Sequence, residues 1–253
     1  MHLGLVTYNI ARDWNLDTIL EVCKKTDIKG VEFRTGHAHG VEYGLSPAER
    51  LAVRRKCQDA GLLQWSIGTD CEFHSSDSSE VNKNIERCKQ FIALAHDIGA
   101  LGVKVRPNGV LHNVPLEKSW SQIGLALARC GEAGSDAGVE IWLEVHGDPT
   151  SKPEYIRDIM LQCGHPNVGI TWNSNSTEVH NGSIKESFDL LSSYIRCCHI
   201  TELWNDYPWK ELFGQLKRIK YNRFMLCEIG HPVCSDDGET FLQCYHKLWE
   251  ELL

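Results

Sequence analysis

The chain has 253 residues, enough for one barrel of eight β/α units and for a full core without staples. Hydrophobic residues make up 42 % and charged residues 24 %, the ordinary balance of a soluble globular protein. A net charge of −8, from 26 basic and 34 acidic side chains, disfavours a nucleic-acid-binding surface, and no apolar run reaches the 18 residues of a membrane span.

The first residues, Met1-His2-Leu3-Gly4, run straight into a strand pattern at 3–8 (LGLVTY). No charged segment followed by an apolar leader precedes it, so the expected location is cytoplasmic. The strand continues into Tyr8-Asn9-Ile10-Ala11-Arg12, without the glycine-rich phosphate turn that an open doubly wound sheet usually places there. Leu16, Ile19, Leu20 and Cys23 then share one helical face. A second strand spans 29–34 (KGVEFR). Ser46-Pro47-Ala48-Glu49 is a capping box with proline at the first helical position. The helix it opens carries the dense basic cluster Arg54-Arg55-Lys56, which reads as a solvated outer face. Further strands follow at 63–68 (LQWSIG), 103–107 (VKVRP), 140–146 (EIWLEVH), 168–173 (VGITWN), 197–202 (CCHITE) and 223–230 (RFMLCEIG). Helical faces recur at Ile85, Cys88, Ile92 and Ala95, at Trp209, Leu212, Leu216 and Ile219, and in the last helix at Phe241, Tyr245, Leu248, Trp249 and Leu252. Glycines 30, 61, 102, 138 and 164 fall where helices end and strands begin.

Strand starts are 26 to 40 residues apart, the length of a strand, a loop, a helix and a return loop. Eight repeats with no linker predict an α/β fold, a single-domain (β/α)8 TIM barrel over residues 1–253. Eleven scattered cysteines, odd in number and without a CxxC pair, read as reduced and mostly buried thiols.

In such barrels reactive groups project from the C-terminal ends of the strands. The second predicted strand ends at Glu32 and Arg34, with His37 and His39 beyond; the third leads to Asp70, Glu72 and His74; and the fourth ends at Arg106. Later strands end at Glu144 and His146, at Trp172 and Asn173, at His199 and Glu202, and at Glu228. Four consecutive strands thus offer Glu144, Asn173, His199 and Glu228. This set of oxygen and imidazole donors suits a divalent metal ion: Mn2+, Mg2+, Co2+ or Zn2+. A carboxylate within IWLEV or FMLCEI is costly unless it is paired or bound to metal. The competing reading pairs Glu144 and Glu228 with Arg34 or Arg106 across the barrel mouth, with His199 as a satisfied core histidine and Asn173 in a plain hydrogen-bonding role. His146 shares the strand face of Glu144 and is a candidate base. Arg34, His37, Arg106 and Glu202 are candidate substrate contacts. Trp172, Trp204 and Trp209 are candidates for an apolar wall against a sugar ring.

With GVEFR, the Glu144 strand, GITWN, CHITE and FMLCEIG in place, the chain resembles the xylose isomerase-like TIM-barrel superfamily of sugar isomerases and epimerases along essentially its whole length. The resemblance implies a metal set of Glu, Asp, His and Glu from strands five to eight, which falls on Glu144, Asn173, His199 and Glu228. His199-Ile200-Thr201-Glu202 is similar to the His-x-Ser/Thr-Glu segment of ketose 3-epimerases, in which the two metal-binding glutamates also move protons. Two departures stand out. The family aspartate is Asn173, and the histidine often found three residues later is Ser176. His146 and the His37/His39 pair are candidates to compensate.

The expected activity is metal-assisted proton transfer beside a carbonyl of a small sugar or polyol derivative, through an enediolate. Glu144 and Glu228 would be base and acid, and Arg34 and Arg106 would orient the substrate. Competing expectations are elimination at the same site, a decayed sugar-binding relative and, with less support from the charge, an abasic-site endonuclease. The expected partners are a small sugar or polyol-like molecule and, in a homo-oligomer, a second copy of the chain, with no nucleic acid and no membrane.

Overall fold

Among residues 1–233 and 237–253, which the computed structural model describes, eight parallel strands close into a barrel in strict chain order. The strands are β1 (His2–Val6), β2 (Gly30–Arg34), β3 (Leu63–Glu72), β4 (Gly102–Arg106), β5 (Glu140–Glu144), β6 (Val168–Trp172), β7 (Ile195–Ile200) and β8 (Phe224–Cys227). The helices outside them are α1 (Leu16–Lys25), α2 (Pro47–Ala60), α3 (Ser78–Ile98), α4 (Leu116–Ala137), α5 (Pro153–Cys163), α6 (Lys185–Leu191), α7 (Trp209–Arg218) and α8 (Gly238–Leu252). β1 pairs with β2 on one side and β8 on the other, which completes the ring. The architecture is the expected (β/α)8 TIM barrel in one domain.

Local signals hold where they rest on capping chemistry. The Ser46 hydroxyl accepts from the Glu49 amide and the Glu49 carboxylate from the Ser46 amide, so α2 starts where the capping box puts it. Gly61, Gly138 and Gly164 end α2, α4 and α5 in the left-handed conformation. Gly30 and Gly102 do something else. Each opens a strand and leaves room inside the barrel. A Cβ on Gly30 would lie 2.4 Å from the Phe224 ring, and one on Gly102 2.4 Å from the Trp142 ring.

Strand alternation sorts the side chains into two shells. Ile141, Leu143, Ile170, Trp172, Cys198 and Ile200 face the helices within the main core. The interior is filled below by Val6, Trp65, Trp142, Cys197, Phe224 and Leu226. Trp65 packs on Trp142 and Phe224, and the Arg223 guanidinium covers Trp65 and Trp142 while it bonds Glu140 at 2.7 Å. That apolar plug makes the lower barrel a packed core. The buried polar layer of Glu32, Lys104, Glu144 and His199 lies toward the opposite end. All ten described cysteines are free, nine of them buried and Cys244 exposed. Cys234 lies outside the described residues. No helix among the described residues is long and apolar enough to cross a membrane.

Candidate active site

A polar layer sits on the plug, formed by Glu32 from β2, Lys104 from β4, Glu144 at the end of β5 and His199 within β7; all four are buried. Glu228 follows β8 directly, its amide bonded to the Ile200 carbonyl at 2.9 Å. The His199 ring lies between carboxylates. Its Nδ1 faces Glu228 Oε2 at 2.9 Å and Glu144 Oε1 at 3.4 Å, and its Nε2 faces Glu32 Oε1 at 3.4 Å. Ser66 donates to the other Glu32 oxygen at 2.6 Å. One ligand atom each from Glu144, His199 and Glu228 lie within 4.8 Å of one another.

This arrangement fits a divalent ion. Donors about 2.1 Å from a metal, at octahedral or tetrahedral angles, lie roughly 3.0–3.4 Å apart, which is the spacing around His199 Nδ1. Neither ring nitrogen of His199 makes a well-formed hydrogen bond, nor does Glu32 Oε1, although all are buried. Glu32 stands where an outer carboxylate orients a ligating histidine. Charge agrees as well. Three carboxylates against Lys104 leave two negative charges when His199 is neutral, the charge of one divalent ion. Without that ion a proton does the same work. Burial lowers the His199 pKa, but Glu228 and Glu32 outweigh burial and raise it well above the ordinary range. Asn173, buried beside the cavity, is the remaining oxygen donor on the expected strand end.

The Lys104 ammonium bonds Glu144 Oε2 at 2.7 Å and leaves Oε1 toward His199. Burial works against the Glu144 charge, yet Lys104 and His199 hold its pKa well below the ordinary range. The competing reading, a pairing of Glu144 with Arg34 or Arg106, does not hold: its buried partner is Lys104, and Arg106 pairs instead with Glu72 at 2.7 Å. Lys104 could be read from the sequence, because it precedes the inward Arg106 by two residues on the same strand.

Above this layer a cavity of about 210 Å³ opens at the C-terminal end of the barrel. Arg34, Arg106, His146 and Asn173 line it together with Lys104, Glu144 and Glu228; Tyr8, Thr201 and Gly230 are also part of the wall. Asn108 orders His146. Its amide nitrogen bonds Glu72, so its oxygen faces His146 Nδ1 and accepts from it; in the neutral tautomer that this selects, the lone pair is on Nε2. Glu72, which ends β3, was among the polar strand-end residues but had no role assigned to it; Asn108 had no counterpart, because it acts from the loop after β4.

Several candidates lie elsewhere. Trp172 is fully buried outside the barrel wall, where it bonds the Tyr207 hydroxyl and packs on Phe188. Its place in VGITW, one residue out of phase with Asn173, turns it toward the helices. Trp204 is 58 % exposed and packs on Phe241 and Tyr245, and Trp209 is buried in α7. The expected apolar wall of tryptophans is therefore not assembled at this cavity. His37 bonds the Thr7 carbonyl and stacks on Tyr8. His39 bonds the Arg34 carbonyl and the Val41 amide, and burial pulls its pKa down to about 4. Both ring nitrogens of His39 are thus engaged, and neither histidine lines the cavity or joins the Glu144–His199–Glu228 group. Glu202 accepts from the Gly230 amide at 2.8 Å and holds the loop after β8 rather than lining the cavity.

A family described as xylose isomerase-like TIM barrel matches residues 20–242. No curated protein sequence matches the chain. Among solved structures it is similar to the IOLI protein with a bound zinc atom, at a TM-score of 0.84 and 18 % identity, covering 100 % of this chain and 98 % of that one. It is also similar to D-psicose 3-epimerase from Clostridium cellulolyticum H10, seen with D-tagatose, at a TM-score of 0.83 and 14 % identity over 100 % and 99 % of the two chains. A third relative is the 3-keto-D-glucoside 4-epimerase YcjR from E. coli, at a TM-score of 0.81 and 13 % identity over 99 % of each chain. At these identities the likeness establishes the shared fold.

Proposed function

The chain belongs to the xylose isomerase-like TIM-barrel family, and from that premise we propose that it is a metal-dependent isomerase or epimerase of a small sugar or sugar derivative. One observation carries the proposal: His199 Nδ1 faces Glu144 and Glu228 at the floor of the cavity, while Glu32 faces its other nitrogen. Epimerases of ketoses and of a ketoglucoside among the structural relatives support the reaction class, and a zinc-bound relative supports the metal.

Glu144, His199 and Glu228 would hold the ion, with Asn173 as the fourth donor. A divalent ion there, Mn2+, Mg2+, Co2+ or Zn2+, supplies Lewis acidity toward a carbonyl and a neighbouring hydroxyl. The protein's own groups move the proton. Glu144 enters as a carboxylate because Lys104 keeps it ionised, and it is placed to take a proton from the carbon beside the carbonyl. Glu228, more open to the cavity, would take up a proton from solvent and deliver it to the opposite face of that carbon. His146 Nε2 is the alternative base. Arg34 and Arg106 orient the substrate from the wall. The plug of Trp65, Trp142 and Phe224 keeps water out from below. The buried free thiols accord with a reducing, cytoplasmic setting.

Metal analysis and proton exchange test this reading. The purified protein should take up Mn2+, gain thermal stability with it and exchange a carbon-bound proton of a ketose into D2O, seen by NMR. Less than about a tenth of an equivalent of metal with no thermal shift would refute the metal site. Full turnover by Glu228→Gln would refute the acid–base assignment. Loss of water from the product would redirect the reaction to elimination.

A further inference from the structure

We propose that the substrate of this cavity carries an oxyanion, a carboxylate or a phosphate, and that Arg34 receives it. The inference rests on the isomerase reading and adds the chemical class of the substrate.

Arg34 ends β2 and lines the cavity. Its backbone is tied on both sides: the amide donates to the Thr7 hydroxyl at 2.8 Å, and the carbonyl meets His39 Nε2 at 3.0 Å. Its guanidinium has no such ties. It makes only long contacts with the Thr35 and Gly68 carbonyls, at 3.5 and 3.4 Å, and no carboxylate among the described residues lies within 4.0 Å of it. The other two cations of the wall are neutralised, Lys104 by Glu144 and Arg106 by Glu72, each at 2.7 Å. Even so, Arg106 Nε is buried without a partner.

Arg34, Lys104 and Arg106 meet four carboxylates, Glu32, Glu72, Glu144 and Glu228, so a bound divalent ion leaves one positive charge in excess, and Arg34 is the cation with no carboxylate beside it. The chain as a whole carries −8, so that excess is local to the ion-loaded cavity. A neutral ketose would satisfy the hydroxyl-binding groups and leave a guanidinium partly removed from water with no counter-charge. A carboxylate or phosphate answers it, because two of its oxygens match the guanidinium fork. With the metal donors on β5 to β8 and Arg34 on β2, the anionic end would bind across the mouth from the reacting carbons.

The test is calorimetric titration of the metal-free and Mn2+-loaded protein with D-fructose, D-glucuronate and D-fructose 6-phosphate. At least one anion should bind roughly ten-fold or more tighter than D-fructose, a preference weakened by salt. The preferred anion identifies the source of the oxygens. Arg34→Gln should abolish the preference, and Arg34→Lys, which keeps the charge without the fork, should retain part of it. Equal affinity for D-fructose and both anions, an anion preference surviving in a folded Arg34→Gln protein, or failure of both anions to bind below about 1 mM would overturn the inference. Proton exchange on a neutral ketose without anion preference would overturn it and leave the isomerase reading standing. Arg34-dependent anion binding without metal uptake or proton exchange would support it and remove that reading.

Discussion

Replacing Lys104 by methionine keeps an unbranched stem and deletes the ammonium. Lys104 is 2 % exposed and Glu144 is likewise 2 % exposed, so water cannot take over the lost partner. Unit charges about 4 Å apart at an effective dielectric constant near 20 couple by about 4 kcal/mol. Removing one partner of a buried pair costs roughly 3–5 kcal/mol, because the other charge stays buried. At roughly 2–4 °C per kcal/mol for a chain of this size, the midpoint should fall by about 6–20 °C. A divalent cation would supply the missing positive charge through Glu144 Oε1. Differential scanning calorimetry should therefore show a larger Mn2+ shift in Lys104→Met than in the parent. The double variant Lys104→Met/Glu144→Gln should recover part of the loss without metal, as a coupled pair requires. A loss below about 1 kcal/mol, or equal Mn2+ shifts in variant and parent, would refute the account of Lys104 as the counter-charge of Glu144.

Asn173→Asp should tighten Mn2+ binding about ten-fold or more, since it adds a negative charge to the donor set; unchanged affinity in a titration would remove residue 173 from the coordination. Glu178 is wholly buried, and its pKa is pushed up to about 8 by that burial despite bonds from Tyr207 at 2.6 Å and the Asn175 amide at 3.1 Å. The folded chain thus keeps a proton that the unfolded chain releases near 4.5. The stability linked to Glu178 is complete below that value and is lost as pH rises through about 8, at up to about 1.4 kcal/mol per unit. Urea unfolding between about pH 5 and 9 should show that slope in the parent and a flatter one in Glu178→Gln. Gly102→Ala should cost about 1–3 kcal/mol through overpacking against Trp142, read as a lower midpoint with unchanged denaturant dependence.

The barrel was legible in the sequence because its cause is local and repeated. Each strand is a short apolar run, each helix shows its own period, and eight units of similar length leave one common closed architecture. Strand parity also turned Glu144 and His199 into the barrel, since alternation is a property of each strand alone. Parity would further have turned Trp172 outward and Lys104 inward, had it been applied to every strand with equal weight.

What only the tertiary structure decided is which inward groups meet. Glu144 faces Lys104 rather than Arg34 or Arg106, and Glu32 faces His199 rather than the mouth. Gly30 and Gly102 serve as clearance for rings from β8 and β5 rather than as helix ends. These contacts join residues dozens to more than a hundred positions apart, and they depend on the stagger of strands around the closed ring. That stagger is set jointly by all eight strand pairings and by the bulk of the aromatic plug, so no single segment of the chain contains it.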